Sequence, residues 1–258
     1  MDLYGHNFKS RLILGTSRYP SLNSLKNAIT DSETEIVTIA LRRAMPSQKT
    51  DDFYKIIKDS ECHLLPNTAG CYTVDDAVTT AHLAREIFKT NWIKLEVIGH
   101  KNTLQPDPFG TLTAAQILCR EGFEVFPYMT EDLVLAEQLL QAGCKVLMPW
   151  GSYIGSGQGL LQAARLEHFR KEFPEIPLIV DAGIGRPSDA AQAMELGFDG
   201  VLLNTAVAQA RYPALMARAM KDAVKAGRAG YQAGIMQKNH AAIPSTPETG
   251  KAEFKTVA

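Results

Sequence analysis

Eight short β-rich runs, each followed by a longer stretch with helical periodicity or turn residues, limit what this chain can fold into. The runs are Leu12–Thr16, Glu35–Leu41, His63–Asn67, Trp92–Val97, Glu124–Met129, Lys145–Trp150, Pro177–Asp181 and Gly200–Thr205. Their starts lie 21 to 32 residues apart, room for a strand, a helix and two short loops. Strands separated by helices pair in parallel, because the crossover must return over the sheet face. Eight such units are enough to close a single (β/α)₈ TIM barrel of the α/β class, the expected fold. An open doubly wound sheet is the rival arrangement.

The intervening segments carry their own start and stop signals. Val74-Asp75-Asp76-Ala77-Val78 leads into Ala81, Leu83, Ala84, Ile87 and Phe88, at the three- and four-residue spacing of an apolar helix stripe. Leu135, Ala136, Leu139 and Leu140 do the same ahead of Gly143, a residue suited to ending a helix. Pro187, Ser188 and Asp189 open another helix that runs toward Gly197. From about Gly227 the periodicity fades, so the barrel is assigned to residues 1–235 and a mobile C-terminal tail to 236–258.

Charge and composition remove several function classes. With a net charge of −1, the chain has no broad attraction for phosphate backbones, and no nucleic-acid partner is expected. The start Met1-Asp2-Leu3-Tyr4-Gly5-His6 lacks a signal-peptide pattern, and no run approaches the ~18 apolar residues of a membrane span. Cys62, Cys71, Cys119 and Cys144 form no Cys-x-x-Cys pair and read as reduced thiols of a cytoplasmic protein. The six histidines show no ligand spacing, so neither a metal nor another cofactor is expected.

One strand carries unusual chemistry. In Trp92-Ile93-Lys94-Leu95-Glu96-Val97, alternate side chains point to opposite faces, so Ile93, Leu95 and Val97 form an apolar face. Lys94 and Glu96 share the other face with Trp92. Lysine is almost never buried without a partner, and a cavity-bound amine is the starting material of imine chemistry. The plainer reading is an ion pair that fills the barrel. At about 7 Å and an effective dielectric near 20, the pair attracts by about 2.4 kcal/mol. Burial opposes that effect, and the sequence leaves the protonation state of Lys94 open. Asp181 ends the seventh run on the same face as Ile179, where it either joins Lys94 and Glu96 or caps a turn.

Barrel active sites form at the C-terminal strand ends, and phosphates often bind beyond strands seven and eight. Here those ends read Gly151-Ser152-Tyr153-Ile154-Gly155-Ser156-Gly157-Gln158-Gly159, Asp181-Ala182-Gly183-Ile184-Gly185 and Asn204-Thr205-Ala206. Glycines let backbone N–H groups approach an anion closely, so these ends suit a phosphate-bearing ligand. The alternate glycines of 155–159 do not match a dinucleotide fingerprint. Arg42-Arg43 after the second strand are a further anion candidate or a solvated turn. Cys71 reads as structural.

Taken together, Leu65-Pro66-Asn67-Thr68-Ala69-Gly70-Cys71, the Trp92–Val97 strand, the 155–159 loop, Val180–Ser188 and Leu202–Ala206 resemble bacterial thiazole synthase, the ThiG family of thiamine biosynthesis. The resemblance covers about residues 5 to 235; Leu160–Ala164 departs from it, lacking the Asn-Pro step that opens a helix in many members. It implies a sulfur-transferring enzyme that builds the thiazole phosphate from 1-deoxy-D-xylulose 5-phosphate, dehydroglycine and sulfur. In that family the sulfur arrives as the thiocarboxylate of a ubiquitin-like carrier protein of the ThiS type. The matching positions are Lys94 for the imine and Glu96 and Asp181 for acid/base work. Gly155, Ala182, Gly183, Asn204 and Thr205 match the sugar-phosphate contacts. Assembly as a homo-oligomer is expected. An aldolase-like Schiff-base enzyme and a non-catalytic phosphosugar-binding subunit remain the alternatives.

Overall fold

The computed structural model describes residues 1–41, 48–246 and 249–250. Eight parallel strands form one sheet: β1 (Leu12–Gly15), β2 (Ile36–Ala40), β3 (His63–Asn67), β4 (Trp92–Leu95), β5 (Glu124–Met129), β6 (Met148–Pro149), β7 (Ile179–Asp181) and β8 (Gly200–Leu203). They follow one another in space as 6-5-4-3-2-1-8-7. Parallel bridges from Leu147 to Leu178 and from Trp150 to Asp181 join the two ends. The Ile179 N–H donates to the Leu147 carbonyl at 3.0 Å across this seam. An open sheet would leave those edges unpaired, so the arrangement is a single (β/α)₈ barrel.

Around it lie α1 (Leu22–Ser32), α2 (Gln48–Asp59), α3 (Val74–Phe88), α4 (Pro108–Arg120), α5 (Leu133–Ala142), α6 (Ala163–Glu172), α7 (Pro187–Glu195), α8 (Thr205–Ala208) and α9 (Pro213–Ala233). Local chemistry sets their ends. Thr73 caps α3 by accepting the Asp76 N–H, and Asp75 and Asp76 in the first turn complement the helix dipole. Asp132 caps α5, and Gly143 at φ 112° ends it. At α6, where the family's Asn-Pro step is missing, Gln162 occupies the cap position and makes no side-chain capping bond.

Among the boundaries that differ from those expected, three have a clear local cause. Regular pairing in β6 is confined to Met148–Pro149 with a bridge on either side, because Pro149 has no N–H to give the ladder. The β4 ladder stops at Leu95, where the Thr68 hydroxyl accepts the Glu96 N–H and donates to the Glu96 carbonyl, both at 2.8 Å. Side-chain alternation nevertheless continues, with Val97 among the outer core residues. The last helix runs past Gly227 to Ala233. Gly227 marks close contact rather than an end, since a Cβ there would strike the Ala191 carbonyl of α7.

Two apolar layers fix the position of the site. Outward residues such as Ile93, Leu95, Val180 and Val201 pack beneath the helices. Inside the barrel, Ile13, Ile36, Leu65, Phe126, Met148 and Ile179 fill the lower part. An N-terminal ribbon pairing Asp2–Leu3 with His6–Asn7 closes the bottom, adding Leu3 and Phe8 to that cluster. The Tyr4 hydroxyl anchors it by donating to the Val125 carbonyl at 2.6 Å. Only the end bearing the C-termini of the strands is left for a cavity. Arg42 and Arg43 lie outside the described residues, as do 247–248 and 251–258; residues 234–246 are exposed, without helix or strand.

Candidate active site at the barrel mouth

Above the apolar fill lies a buried ionic cluster. Lys94 Nζ sits 2.6 Å from Asp181 Oδ2 and 2.9 Å from Glu96 Oε1. All three residues are at most 5% exposed, so water does little to screen these charges. Trp92 and Lys94 of β4 and Ile179 and Asp181 of β7 point inward, so Lys94 and Asp181 meet across the barrel interior above the layer of Phe126 and Ile179. The separation of about 7 Å inferred from strand spacing shrinks because the lysine stem bends onto both carboxylates.

The charges compete. Burial lowers the Lys94 pKa, but Asp181 and Glu96 together outweigh it and hold the amine above its usual range. For Asp181, burial raises the pKa most, Lys94 opposes it, and Glu96 adds repulsion; the carboxyl ends pushed up to about 6. One ammonium between two carboxylates leaves the fully ionised cluster with a net charge of −1. Asp181 is thus positioned to accept a proton from Lys94 and pass it on.

These groups form the floor of a cavity of about 620 Å³, a size common for small-molecule sites. Its walls include all the residues singled out for phosphate contact: Gly155, Ala182, Gly183, Asn204 and Thr205. Gly183 has φ +82°, and a Cβ there would collide with the Ser152 hydroxyl, so a glycine is needed for packing. Next to it, Ala182 holds a left-handed φ of 71°, a strain typical of ligand sites. The sixth and seventh loops are tied together by Gly159 N–H donating to the Gly183 carbonyl at 2.8 Å. Gly15 makes room for Asn204, whose Oδ1 is buried without a protein donor. Such an acceptor suits a sugar hydroxyl.

Other residues enter the site without having been singled out. Gly15, Thr38 and Asn67 line the cavity, and Tyr128 lies behind it with its ring centroid 5.5 Å from Lys94 Nζ. Tyr128 was legible in principle, since it is two residues beyond the inward Phe126. Cys71 is buried beyond β3, with Sγ 3.4 Å from Thr80 Oγ1. Among the described residues, no group of three His, Cys, Asp or Glu side chains gathers as a metal site, and no helix is long and apolar enough to cross a membrane.

Comparison with known proteins gives this geometry a family. The model of thiazole biosynthesis protein ThiG matches residues 2–247. This chain belongs to the ThiG thiazole synthase family. The thiazole synthase of Brucella abortus (strain S19) is 58% identical over 253 residues, covering 98% of this chain and 99% of that protein. That of Brucella anthropi is 56% identical over the same length. Among solved structures, the Amycolatopsis orientalis BexX/CysO complex matches with a TM-score of 0.84 at 29% identity, covering 93% of this chain and 98% of that one. Thiamine phosphate pyrophosphorylase from Pyrococcus furiosus, at 13% identity and a TM-score of 0.57 over 85% of this chain and 97% of its own, shares the fold alone. As a member of the thiazole synthase family, the chain is a sulfur-transferring enzyme of thiamine biosynthesis.

Proposed function

We propose that Lys94 forms an imine with the ketone of 1-deoxy-D-xylulose 5-phosphate, and that Glu96 and Asp181 move the protons of that chemistry. The observation that carries this reading is the contact of one buried amine with two buried carboxylates at 2.6 and 2.9 Å, at the floor of the cavity. Before the amine can attack, its ammonium must lose a proton. Asp181, whose carboxyl is pushed up to about 6, is the better acceptor for it. The neutral amine then adds to the carbonyl carbon, the nitrogen passes one of its protons to the carbonyl oxygen, Asp181 returns the other, and that oxygen leaves as water to give the iminium. Glu96 removes the proton from the neighbouring carbon, shifting the carbonyl along the chain. Backbone N–H groups of the loops bearing Gly155, Ala182 and Gly183 hold the phosphate, with Asn204 and Thr205 completing its surroundings.

Sulfur is supplied from outside in this reading. The chain has no Cys-x-x-Cys pair, and Cys71 is buried. The carrier is a ubiquitin-like protein with a C-terminal thiocarboxylate, its tail entering the barrel mouth and its body resting on the rim. The similarity to a barrel solved in complex with a second protein, CysO, supports this arrangement. Dehydroglycine supplies the nitrogen and remaining carbons. The protein acts in the cytoplasm as a homo-oligomer, with residues 1–235 as the catalytic unit and the remainder as a mobile tail.

Incubation with the sugar phosphate and borohydride, followed by peptide mass mapping, tests the imine. The reduced adduct is expected on Lys94, and a label confined to any other lysine refutes the assignment. No thiazole should form from sugar phosphate and dehydroglycine until thiocarboxylated carrier is added. Efficient synthesis from micromolar free sulfide, with no gain from the carrier, would reject the carrier as the sulfur source.

A further inference from the structure

Forming an imine removes hydrogen-bond donors from the place where this site needs them most. An ammonium has three N–H groups. In the resting protein one of them bonds Glu96 at 2.9 Å, while Asp181 Oδ2 lies 2.6 Å from Nζ as an ion pair outside hydrogen-bond geometry. An iminium keeps one N–H, and a neutral imine keeps none. At most one carboxylate then has a donor on this nitrogen, although Glu96 and Asp181 are only 4% and 2% exposed. A buried carboxylate without a donor is strongly unfavourable.

The same layer holds a donor with nothing to do. Tyr128 lies on β5, the strand paired with β4, and is wholly buried. Its hydroxyl has no hydrogen-bond partner in the protein. Buried hydroxyls almost always find one, so an orphan requires an explanation. The charged groups near it are Lys94, across the ring, with Glu96 just beyond β4 and Asp181 on β7. Burial and those two carboxylates hold the phenol far above its usual range, so it stays an intact O–H donor.

We propose that the Tyr128 hydroxyl takes over a carboxylate of this cluster when Lys94 becomes an imine, making Tyr128 a positioning residue for the reaction. The assignment rests on the imine reading given above. Tyr128 acts through Asp181 or Glu96 and not on the substrate, for it does not line the cavity. In the resting protein the hydroxyl waits unpaired, at a cost to the fold that the reaction recovers.

Tyr128→Phe separates this role from simple packing, because it removes only the unpaired hydroxyl. The variant should melt at the wild-type temperature or above it. Borohydride trapping at Lys94, followed from pH 5.5 to 8.5, should slow roughly 10- to 100-fold, the worth of one hydrogen bond to a charged group. Its acid limb should move to higher pH, since a carboxylate deprived of a donor holds its proton more tightly. Placing 3-fluorotyrosine at position 128 keeps the shape with a more acidic O–H and should restore the rate. A wild-type trapping rate with an unaltered pH profile in Tyr128→Phe overturns the assignment of Tyr128 alone. So does a loss that is independent of pH and accompanied by a lower melting temperature. Absence of any adduct on Lys94 in the wild-type protein overturns the imine reading, and the role of Tyr128 falls with it.

Discussion

Asp181→Asn should make the protein more stable and stop it working. Ionised Asp181 belongs to a cluster with two negative charges and one positive, 2% exposed to solvent. Its carboxyl is pushed up to about 6 from an ordinary 3.8, so the folded state holds that proton more tightly than the unfolded chain does. Between those values the folded state carries the proton and the unfolded state does not, and stability therefore falls as pH rises. Above pH 6 the penalty is complete. Roughly two pKa units at 1.36 kcal/mol each give about 3 kcal/mol. Asparagine keeps the shape without the charge and should recover most of that at pH 8, but only about 1 kcal/mol at pH 4.5, where wild-type Asp181 is already protonated in the fold. For a chain of this size the gain at pH 8 raises the melting temperature by roughly 6–12 °C. Urea or thermal melts of both proteins at the two pH values measure the gap, and borohydride trapping measures the function, expected to drop roughly 10²-fold or more. An Asp181→Asn protein less stable than wild type at pH 8, or a gap that does not narrow in acid, would refute the charge argument.

Removing the cation should have the opposite effect. Lys94→Met leaves Glu96 and Asp181 facing each other unpaired, and should lose about 3–5 kcal/mol in urea melts at alkaline pH, partly regained toward acid as Asp181, now without the lysine that lowered its pKa, takes up a proton. Glu96→Gln should fold normally and lose about 10²-fold in turnover; near wild-type turnover would remove Glu96 from acid/base work. Gly183→Ala should lose about 1–3 kcal/mol in thermal melts, because its Cβ strikes Ser152 at a left-handed φ, and wild-type stability would contradict that crowding. Gly15→Ala should displace Asn204 and weaken sugar-phosphate binding by calorimetry, with unchanged affinity counting against a ligand role for Asn204.

The barrel was legible because its signal is local and repeated: each strand run, cap and glycine stop speaks for itself, and eight repetitions outweigh an error at any boundary. The Lys94 and Glu96 faces followed from a period of two on one strand. Asp181 was harder, since its place beside Lys94 depends on closing the ring through the Leu147–Leu178 bridge, a contact no local pattern announces. Distances were harder still. Strand spacing gave about 7 Å for a pair that meets at 2.9 Å, because a lysine stem can fold back onto its neighbour. The N-terminal plug escaped notice since its two strands have two residues each, too short for any periodicity. Gly227 misled for the opposite reason: a glycine inside a helix reads as a weak point, while here it admits the backbone of α7.

A site short by one proton has a use in the proposed reaction. Shifting the carbonyl along the sugar begins by taking a proton from carbon, which needs a carboxylate that is ionised at neutral pH. The cluster offers Glu96 for that step, and beside it lies Asp181, an equally buried like charge. Accepting the substrate's proton brings the cluster from −1 to neutral and relieves the repulsion that ionisation imposed. Part of the free energy held in the fold as unfavourable charge therefore favours the proton-removal step. The apolar fill below makes this possible: with Phe126, Met148 and Ile179 closing the barrel beneath the cluster, water cannot reach the charges from that side. A polar filling at those positions would screen the carboxylates, bring the Asp181 carboxyl back toward 3.8, and remove the like-charge repulsion that favours proton uptake, in a more stable protein.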